Sequence, residues 1–291
     1  MNGVCTMEPR TAIVTGASHG IGQYIARALA GRGMNLLLVA RSEGELARFA
    51  RELRSPGVKV AVAAVDLGGQ DAARQVADAA QAELGAVDVL VNNAATEPQI
   101  RFHVLSPDEI EYVLRVDLTT PLLLSRLLLP GMLDRGYGRI VNVSSLAGHV
   151  SFPYTETYAA AKDGLTAFSR VLRSDYRKAG VTATSLILGA VKDAGFSART
   201  LAETGLTAST SFAAKPEKVA AATLRAIDRG TAEIVVNPGP GRLLKALMDY
   251  FPGIGPVINR LSGADKLMAQ VAQHREAARA RKIAEEPGRA A

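Results

Sequence analysis

Residues 11–22 have the sequence TAIVTGASHGIG, and the architecture of the chain can be worked out from this stretch. The short apolar run Thr11–Thr15 is typical of a buried strand, and an amphipathic helical pattern begins at Gly20. Glycines between a strand and a helix let the backbone approach a pyrophosphate, and the helix N-terminus favours its negative charge. An ordinary tight turn is the alternative, since glycines serve such turns as well. The candidate phosphate-binding residues are Gly16, Ser18, His19, Gly20, Ile21 and Gly22.

Strand and helix patterns alternate beyond this stretch. The predicted strands are Thr11–Thr15, Asn35–Ala40, Lys59–Val65, Val87–Val91, Arg139–Val143, Thr182–Leu188 and Ala232–Val236. The predicted helices are Gly20–Ala30, Glu43–Leu53, Gln70–Leu84, Pro107–Leu129, Tyr158–Lys178 and Pro216–Asp228. Short strands that are apolar on both faces, separated by helices, indicate a parallel sheet covered on both sides. We therefore predict an α/β fold: a single doubly wound parallel-sheet domain over residues 8–238, with a C-terminal helical extension over 239–291.

Composition excludes several classes of protein. With 48% hydrophobic and 21% charged residues among 291, the chain has the composition of a globular protein rather than a disordered one. The net charge of +6 comes from scattered basic residues, so we expect no nucleic-acid partner. The single cysteine, Cys5, and the lack of an apolar signal segment predict a cytoplasmic location. The four histidines have no metal-ligand spacing, and we expect no metal.

A tyrosine and a lysine one helical turn apart, Tyr158 and Lys162, begin the helix after the fifth predicted strand. Reduction of a carbonyl group needs a proton, which a tyrosine hydroxyl can donate, but its ordinary pKa of about 10 is high for work near neutrality. The lysine charge would stabilise the phenolate and lower this pKa. Ser145, at the end of the fifth strand, would hydrogen-bond the carbonyl oxygen. Ser144 and Tyr154 compete for these roles, but the spacing favours Ser145 and Tyr154 has no lysine partner.

Two further motifs lie at strand ends, Asp66-Leu67 after the third predicted strand and residues 92–95, Asn-Asn-Ala-Ala, after the fourth. Together with the glycine loop and the serine, tyrosine and lysine, they resemble the short-chain dehydrogenase/reductase family. The resemblance runs from Thr11 to about Asp228, which is most of the chain.

The resemblance implies a Rossmann fold and an oxidoreductase that transfers a hydride between a nicotinamide cofactor and a carbonyl or secondary alcohol. In the family's pattern Tyr158 is the acid/base, Lys162 lowers its pKa and contacts the ribose, and Ser145 anchors the substrate. The family also implies a homodimer or homotetramer, paired through the helices that include Val104–Leu129 and Tyr158–Lys178.

The chain departs from the family's pattern at three places, of which Ala95, where a glycine is usual, adds one methyl group and is expected to be tolerated. Asp117 stands where an asparagine usually holds a water that links the lysine to solvent. An aspartate accepts hydrogen bonds but does not donate them as an amide does, so we expect a relay with an altered pH dependence. After the sixth strand, Leu188 and Asp193 replace a proline and a cofactor-binding threonine, whereas Val191 is retained. These departures keep a second hypothesis open, a dinucleotide-binding scaffold or sensor without turnover.

The end of the second predicted strand bears on the choice of cofactor. An acidic side chain there would bind the ribose hydroxyls of NAD, whereas an arginine accommodates the 2′-phosphate of NADP. Ala40 is neutral and Arg41 follows it, with Ser18 and His19 as supporting residues in the glycine loop. We therefore predict NADP(H) rather than NAD(H), with an exposed loop arginine as the alternative. Further predicted contacts are Asp66 and Leu67 with the adenine, Asn93 and Ala94 with a ribose, and the Val191 backbone with the nicotinamide.

The connection Gly189–Lys215 is long and rich in small residues, and we predict that it closes the substrate pocket as a lid. Bulky apolar residues of the lid favour an apolar substrate; they are Phe196, Leu201, Leu206 and Phe212. Further candidate walls lie between Ser145 and Tyr158; they are His149, Val150, Phe152 and Tyr154. The amphipathic segment Leu243–Leu261 is open to several interpretations: it covers the pocket, packs against a second subunit or lies on a membrane surface. A packed helix pair is favoured, because amphipathic helices usually face a core, and the chain after Ala264 is expected to be a solvated helix.

Overall fold

A parallel sheet positions every candidate functional residue. The computed structural model describes residues 10–195, 200, 203–205 and 213–285. Within them, seven parallel strands form one sheet in the order β3-β2-β1-β4-β5-β6-β7. The strands are β1 (Thr11–Thr15), β2 (Asn35–Ala40), β3 (Val60–Ala64), β4 (Val89–Asn92), β5 (Gly138–Ser145), β6 (Val181–Leu188) and β7 (Glu233–Val236). The order changes direction between β1 and β4, and such a switch point opens a crevice at the carboxyl ends of the strands.

Helices cover both faces of the sheet. They are α1 (Ile21–Ala30), α2 (Glu43–Leu53), α3 (Ala72–Leu84), α4 (Pro107–Leu114), α5 (Thr120–Asp134), α6 (Glu156–Tyr176), α7 (Pro216–Arg229), α8 (Gly241–Tyr250), α9 (Ile254–Ser262) and α10 (Ala264–Glu285). One buried apolar layer joins the sheet to α1, α2 and α7, and a second joins it to α3, α5 and α6. The predicted α/β fold with a C-terminal helical extension is confirmed, and the predicted strands agree with the observed ones to within about two residues.

One predicted helix is interrupted. The run predicted as Pro107–Leu129 consists of α4, a π-helical segment over Arg115–Thr119 and α5. Pro121 has no backbone N–H to donate to the carbonyl of Asp117, so the regular pattern cannot continue there. The N–H of Thr120 bonds instead to the carbonyl of Arg115, one residue further back than in an α-helix. The widened turn contains Asp117, which is fully buried.

The combined run Pro107–Asp134 is long and apolar enough to cross a membrane by length and composition alone, although 44% of its most apolar window is buried inside the protein. Leu124, Leu129 and Met132 are buried in the layer beneath the sheet. This packing is that of a core helix, and Leu123 and Leu127 are exposed on its other side.

The C-terminal extension is anchored on the body of the molecule, which corrects the prediction of a solvated helix after Ala264. Met268, Val271 and Ala272 of α10 are buried. Arg275 donates to the backbone carbonyls of Glu97 and Pro98 at 3.2 and 2.9 Å. The sequence missed this packing because so few apolar residues mark the buried face of a helix that is otherwise rich in alanine and arginine.

Exposed apolar side chains concentrate on α8, α9 and the turn between them. Seven large ones there are exposed, whereas four are exposed in the rest of the described chain; the seven are Leu243, Leu247, Tyr250, Phe251, Val257, Ile258 and Leu261. The extension therefore has an apolar outer surface as well as an inner face that packs on the domain.

Candidate active site

Two adjoining cavities lie at the carboxyl ends of the strands. The first cavity is lined by the loops after β1, β2, β3 and β4, and the second by the end of β5, the start of α6 and the C-terminal helices. Their volumes are about 230 and 340 Å³. Both contain Ile21, Asn93, Ala95 and Gly195 in their walls, so the two spaces meet along a shared boundary.

The structure brings eleven of the sequence-predicted cofactor residues together around the first cavity. They are Gly16, Ser18, His19, Gly20, Ile21, Gly22, Arg41, Asp66, Leu67, Asn93 and Ala94. Val191, Ser145, Tyr158 and Lys162 line the second cavity instead, and Asp117 lies buried behind Lys162.

The glycine loop forms a cradle that side chains would fill. Gly16 and Gly20 have φ values of 66° and 61°, in the region that favours glycine. A Cβ on Gly16 would lie 2.8 Å from Ala94 Cα, and one on Gly22 would collide with the carbonyl oxygen of Gly16. The N-cap residue of α1 is Gly20, which has no side chain to make a capping hydrogen bond to the first N–H groups of the helix. These features fit the pyrophosphate of a dinucleotide.

Hydrogen bonds between β1 and β4 hold this cradle in shape. Asn93 donates from Nδ2 to the Thr15 carbonyl at 2.9 Å. The backbone N–H groups of Asn93 and Ala94 both donate to Thr15 Oγ1 at 3.0 Å. Asn93 therefore fixes the backbone of the crevice, a role that leaves less of its side chain for direct contact with a ribose.

Three polar side chains joined by hydrogen bonds form part of the wall of the first cavity. Arg41 is exposed and its Nη1 lies 3.3 Å from Tyr112 Oη, which donates to Asp66 Oδ1 at 2.9 Å. Burial and the hydrogen bond to Asp66 raise the pKa of Tyr112. A Cβ on Gly68 would collide with the Tyr112 ring, so that glycine makes room for it. Tyr112 was not predicted from the sequence, because it lies on α4 and reaches this cavity only in the folded protein. Glu45 of α2, which also lines the cavity, was not predicted either.

The three predicted catalytic side chains meet in the second cavity. A hydrogen bond joins Ser145 to Tyr158, and both side chains line the cavity. Lys162 is almost fully buried; its Nζ lies 5.5 Å from the centroid of the Tyr158 ring and donates to the Val143 carbonyl at 3.1 Å. Ser144, the competing serine, turns inward and donates to the Lys162 carbonyl at 2.8 Å. This serine ties β5 to α6.

Two carboxyl groups lie beside this trio. Asp117 accepts from the backbone N–H of Thr96 at 2.7 Å through Oδ1, and its Oδ2 lies 3.3 Å from Lys162 Nζ. Burial raises the pKa of Asp117 to about 6, against the lowering effects of Lys162 and Thr96. Glu97, partly exposed to the second cavity, has a pKa raised to about 8, first by burial and then by the charge of Asp117.

The pKa of Tyr158 is raised well above its ordinary value, by burial first and then by the charges of Glu97 and Asp117, while the hydrogen bond from Ser145 lowers it. This net shift runs opposite to the lowering that we expected from Lys162. The sequence analysis missed Glu97, and its signal was a carboxyl group shortly after the end of β4. Burial and the charges of two acids therefore outweigh the lowering effect of the hydrogen bond from Ser145.

The C-terminal helices form the outer wall of the second cavity. They contribute Met248, Gly255, Ile258, Asn259, Ser262 and Ala264. Asn259 donates from Nδ2 to the Ser151 carbonyl at 3.0 Å, and His149 pairs with Asp249 at 3.0 Å. Of the interpretations open for this segment, the structure shows that it covers the pocket.

Part of the predicted lid is also in place. Gly189, Ala190, Val191 and Gly195 line the second cavity, and Lys192 donates its N–H to the Ala214 carbonyl at 2.9 Å. Val150 and Phe152 are walls as predicted. The lid residues Phe196, Leu201, Leu206 and Phe212 lie outside the described residues.

Comparison with known proteins identifies what this arrangement resembles. A family model described as short chain dehydrogenase matches residues 10–221. Ketoacyl reductase HetN of Nostoc sp. is 34% identical over 235 residues, which is 81% of either chain. A metagenomic short-chain oxidoreductase solved in complex with NADP is 31% identical, with a TM-score of 0.67 over 79% of this chain and 97% of that one. L-Sorbose reductase of Gluconobacter frateurii, solved with NADPH and L-sorbose, is 25% identical, with a TM-score of 0.70 over 80% and 97%.

Proposed function

The chain belongs to the short-chain dehydrogenase family, and from this premise we propose that it is an NADP(H)-dependent reductase of apolar carbonyl compounds. One observation carries the proposal: Ser145, Tyr158 and Lys162 line a cavity that shares a wall with the glycine cradle. A carbonyl group in the second cavity would then lie next to the nicotinamide end of a cofactor held in the first.

The residues around the first cavity fit a nicotinamide dinucleotide. The N-terminus of α1 and the glycine cradle receive the pyrophosphate, and Asp66 and Leu67 meet the adenine. No acidic side chain ends β2, and Arg41 is exposed beside the cavity, which favours the 2′-phosphate of NADP. Two structural relatives solved with NADP or NADPH support this choice. When bound, NADPH supplies the hydride that goes to the carbonyl carbon.

The side chains of the second cavity handle the proton. The Ser145 hydroxyl holds the carbonyl oxygen next to Tyr158, and the Tyr158 hydroxyl gives its proton to that oxygen. A raised pKa keeps Tyr158 protonated near neutrality, the state in which its hydroxyl donates a proton to the carbonyl oxygen. The Lys162 ammonium stabilises the phenolate that forms, and Asp117 positions Lys162 through their 3.3 Å contact.

The walls of the second cavity indicate the substrate class. They are mainly apolar beyond the catalytic trio, with Leu146, Val150, Phe152, Met248 and Ile258. A cavity of this kind favours a carbonyl group carried on an apolar chain over a polyhydroxylated sugar. The name of the ketoacyl reductase relative supports 3-oxoacyl thioesters as the first compounds to test.

The assembly and location are part of the same proposal. Leu123 and Leu127 on α5 and Val171 on α6 are exposed apolar side chains on the two helices expected to pair. We expect a homodimer or homotetramer in the cytoplasm, where a chain with one cysteine meets a reducing environment. Light scattering on the purified protein checks this, and a monomer at micromolar concentration would contradict it.

The proposed function is tested by following NADPH consumption with a series of 3-oxoacyl thioesters of increasing chain length. We expect turnover that improves with chain length until the cavity is filled, and a kcat lower by about 10²–10⁴-fold in Tyr158→Phe. NADPH binding without consumption on any carbonyl compound would favour the alternative, a scaffold or sensor in which the departures at Leu188 and Asp193 have ended catalysis.

A further inference from the structure

Carboxyl groups outnumber amino groups in the interior beside the trio Ser145, Tyr158 and Lys162. Lys162 faces two carboxyl groups, Asp117 and Glu97. The next cation, Arg275, bonds through Nη2 to Glu203 at 3.0 Å and to Thr200 Oγ1, so much of its charge is already compensated. Two carboxylates beside one ammonium in a buried cluster repel each other, and such a cluster retains a proton on one of them.

The surroundings of the two acids differ. Asp117 accepts a backbone hydrogen bond through one oxygen and faces the Lys162 ammonium with the other, an arrangement that suits a carboxylate. Glu97 reaches the second cavity, where its charge acts on Tyr158. The shared proton is therefore held by Glu97, on the side of the cluster that faces the substrate.

We propose that Glu97 is a further acid–base residue of this site: its neutral carboxyl group returns a proton to Tyr158 after Tyr158 has protonated the substrate. The proposal rests on the proposed reductase function. In the first step the Tyr158 O–H bond breaks as the product O–H bond forms. In the second the Glu97 O–H bond breaks and the Tyr158 O–H bond forms again, with the proton passing through the second cavity, whose wall contains both side chains. Glu97 then takes up one proton from bulk solvent at the cavity mouth, so each turnover consumes one solvent proton, and no electrons change hands in these proton transfers.

The direction of the second step follows from the two acidities. The pKa of Glu97, about 8, lies below the raised pKa of Tyr158, so the proton moves downhill from the carboxyl group to the phenolate. The groups that act on Glu97 come from three elements: Asp117 from the π-helical segment raises its pKa, whereas Lys162 of α6 and Arg275 of α10 lower it. An ionised Glu97 cannot donate, and its charge also opposes ionisation of Tyr158.

The pH dependence of kcat for carbonyl reduction tests this inference. In the wild-type protein we expect kcat to be constant between about pH 6, above which Asp117 is ionised, and about pH 8, and to fall above pH 8 as Glu97 loses its proton. Glu97→Gln keeps the size of the side chain but removes the acid, so kcat should fall by at least about tenfold near neutrality and the decline near pH 8 should disappear. Glu97→Asp should recover part of kcat. The control is Glu217→Gln, which removes an exposed acid of α7 that lies outside both cavity walls and should keep the wild-type profile.

A second measurement does not depend on turnover. The ultraviolet absorbance of tyrosinate, followed as pH rises and compared with Tyr158→Phe, gives the pKa of Tyr158 in the free protein. Removal of a negative neighbour should lower that pKa in Glu97→Gln, whereas Glu217→Gln should leave it unchanged.

The outcomes separate this inference from the proposed function. Wild-type turnover with an unchanged kcat profile in Glu97→Gln overturns the role of Glu97 and leaves the reductase intact. Wild-type protein that reduces no carbonyl compound overturns the reductase, and with it the proton return. In that case a lowered Tyr158 pKa in Glu97→Gln still supports the electrostatic interaction between the two groups, and an unchanged pKa overturns that interaction as well.

Discussion

The two cavities share a wall but are built from different parts of the chain. The first is formed by loops that follow successive strands, all within residues 10–221 that match the family. The second takes its catalytic trio from the same part of the chain, but its outer wall comes from α8, α9 and α10, beyond that match. The trio therefore comes from the part of the chain that matches the family model, whereas the outer boundary of the second cavity comes from helices beyond that match. Changes in one cavity should therefore be separable from changes in the other.

The largest expected effect separates chemistry from cofactor binding. Tyr158→Phe removes the proton donor and should lower kcat by about 10²–10⁴-fold, while the Kd for NADPH stays within about threefold. Steady-state kinetics and calorimetry measure the two quantities. Tyr154→Phe is the control, because Tyr154 lies outside both cavity walls and should keep wild-type kcat. Equal activity in the two variants would contradict the assignment of the acid.

A substitution in the first cavity should instead weaken the binding of the cofactor. Gly22→Ala adds a Cβ that collides with the Gly16 carbonyl, so the cradle must distort, and the Kd for NADPH should rise by at least about tenfold, a loss of roughly 1.4 kcal/mol. Gly44→Ala places its Cβ in open space and serves as the control. Calorimetric titration of both variants checks this, and an unchanged Kd in Gly22→Ala would show that the cradle does not receive the pyrophosphate.

A smaller effect distinguishes the two nicotinamide cofactors. Arg41→Ala removes a charge-assisted hydrogen bond to a 2′-phosphate and should raise the Kd for NADPH by about tenfold, with the Kd for NADH unchanged. Arg48→Ala removes an exposed arginine of α2 that lies outside the cavity wall, and it should bind both cofactors as the wild-type protein does. If Arg41→Ala weakens both cofactors equally, the arginine does not select NADP.

The smallest expected effect probes the outer wall of the second cavity. Arg275 ties α10 to the backbone of Glu97 and Pro98, so Arg275→Gln should raise KM by a few-fold and lower the free energy of unfolding by about 1–2 kcal/mol. The Kd for NADPH should not change. Arg281→Gln, an exposed arginine on the same helix, is the control. A change in NADPH binding that matched the change in KM would show that the two cavities are not separable.

Most of the fold could be predicted because its signals are local. Parallel strands that are buried on both faces are apolar without alternation, and each ends close to a motif that needs a loop there. The π-helical turn at Asp117 was missed because its cause is a single missing N–H inside a run that otherwise has a helical pattern. The buried face of α10 was missed because Met268, Val271 and Ala272 are too few to dominate the pattern of the helix.

The candidate site could be predicted only in part, because only some of its residues are related by spacing along a single element. The glycine loop and the Tyr158–Lys162 pair are spaced along single elements, so sequence alone was enough to propose them. Tyr112 and Glu97 contribute through contacts that span the fold; the hydrogen bond from Arg275 to the Glu97 carbonyl joins residues 178 positions apart. The pKa of Tyr158 was predicted with the wrong sign, because burial and two acids were not visible in the spacing of a tyrosine and a lysine.

The most direct test is a pair of calorimetric titrations of the wild-type protein, one with NADPH and one with NADH. The proposed roles of both cavities depend on whether the first cavity binds a nicotinamide dinucleotide. We expect both cofactors to bind, and NADPH to bind more tightly than NADH by about tenfold, because of one charge-assisted contact to its 2′-phosphate. Tighter binding of NADH would contradict the role of Arg41 and leave the catalytic trio in place. Binding of neither would contradict the dinucleotide site itself and, with it, the reductase.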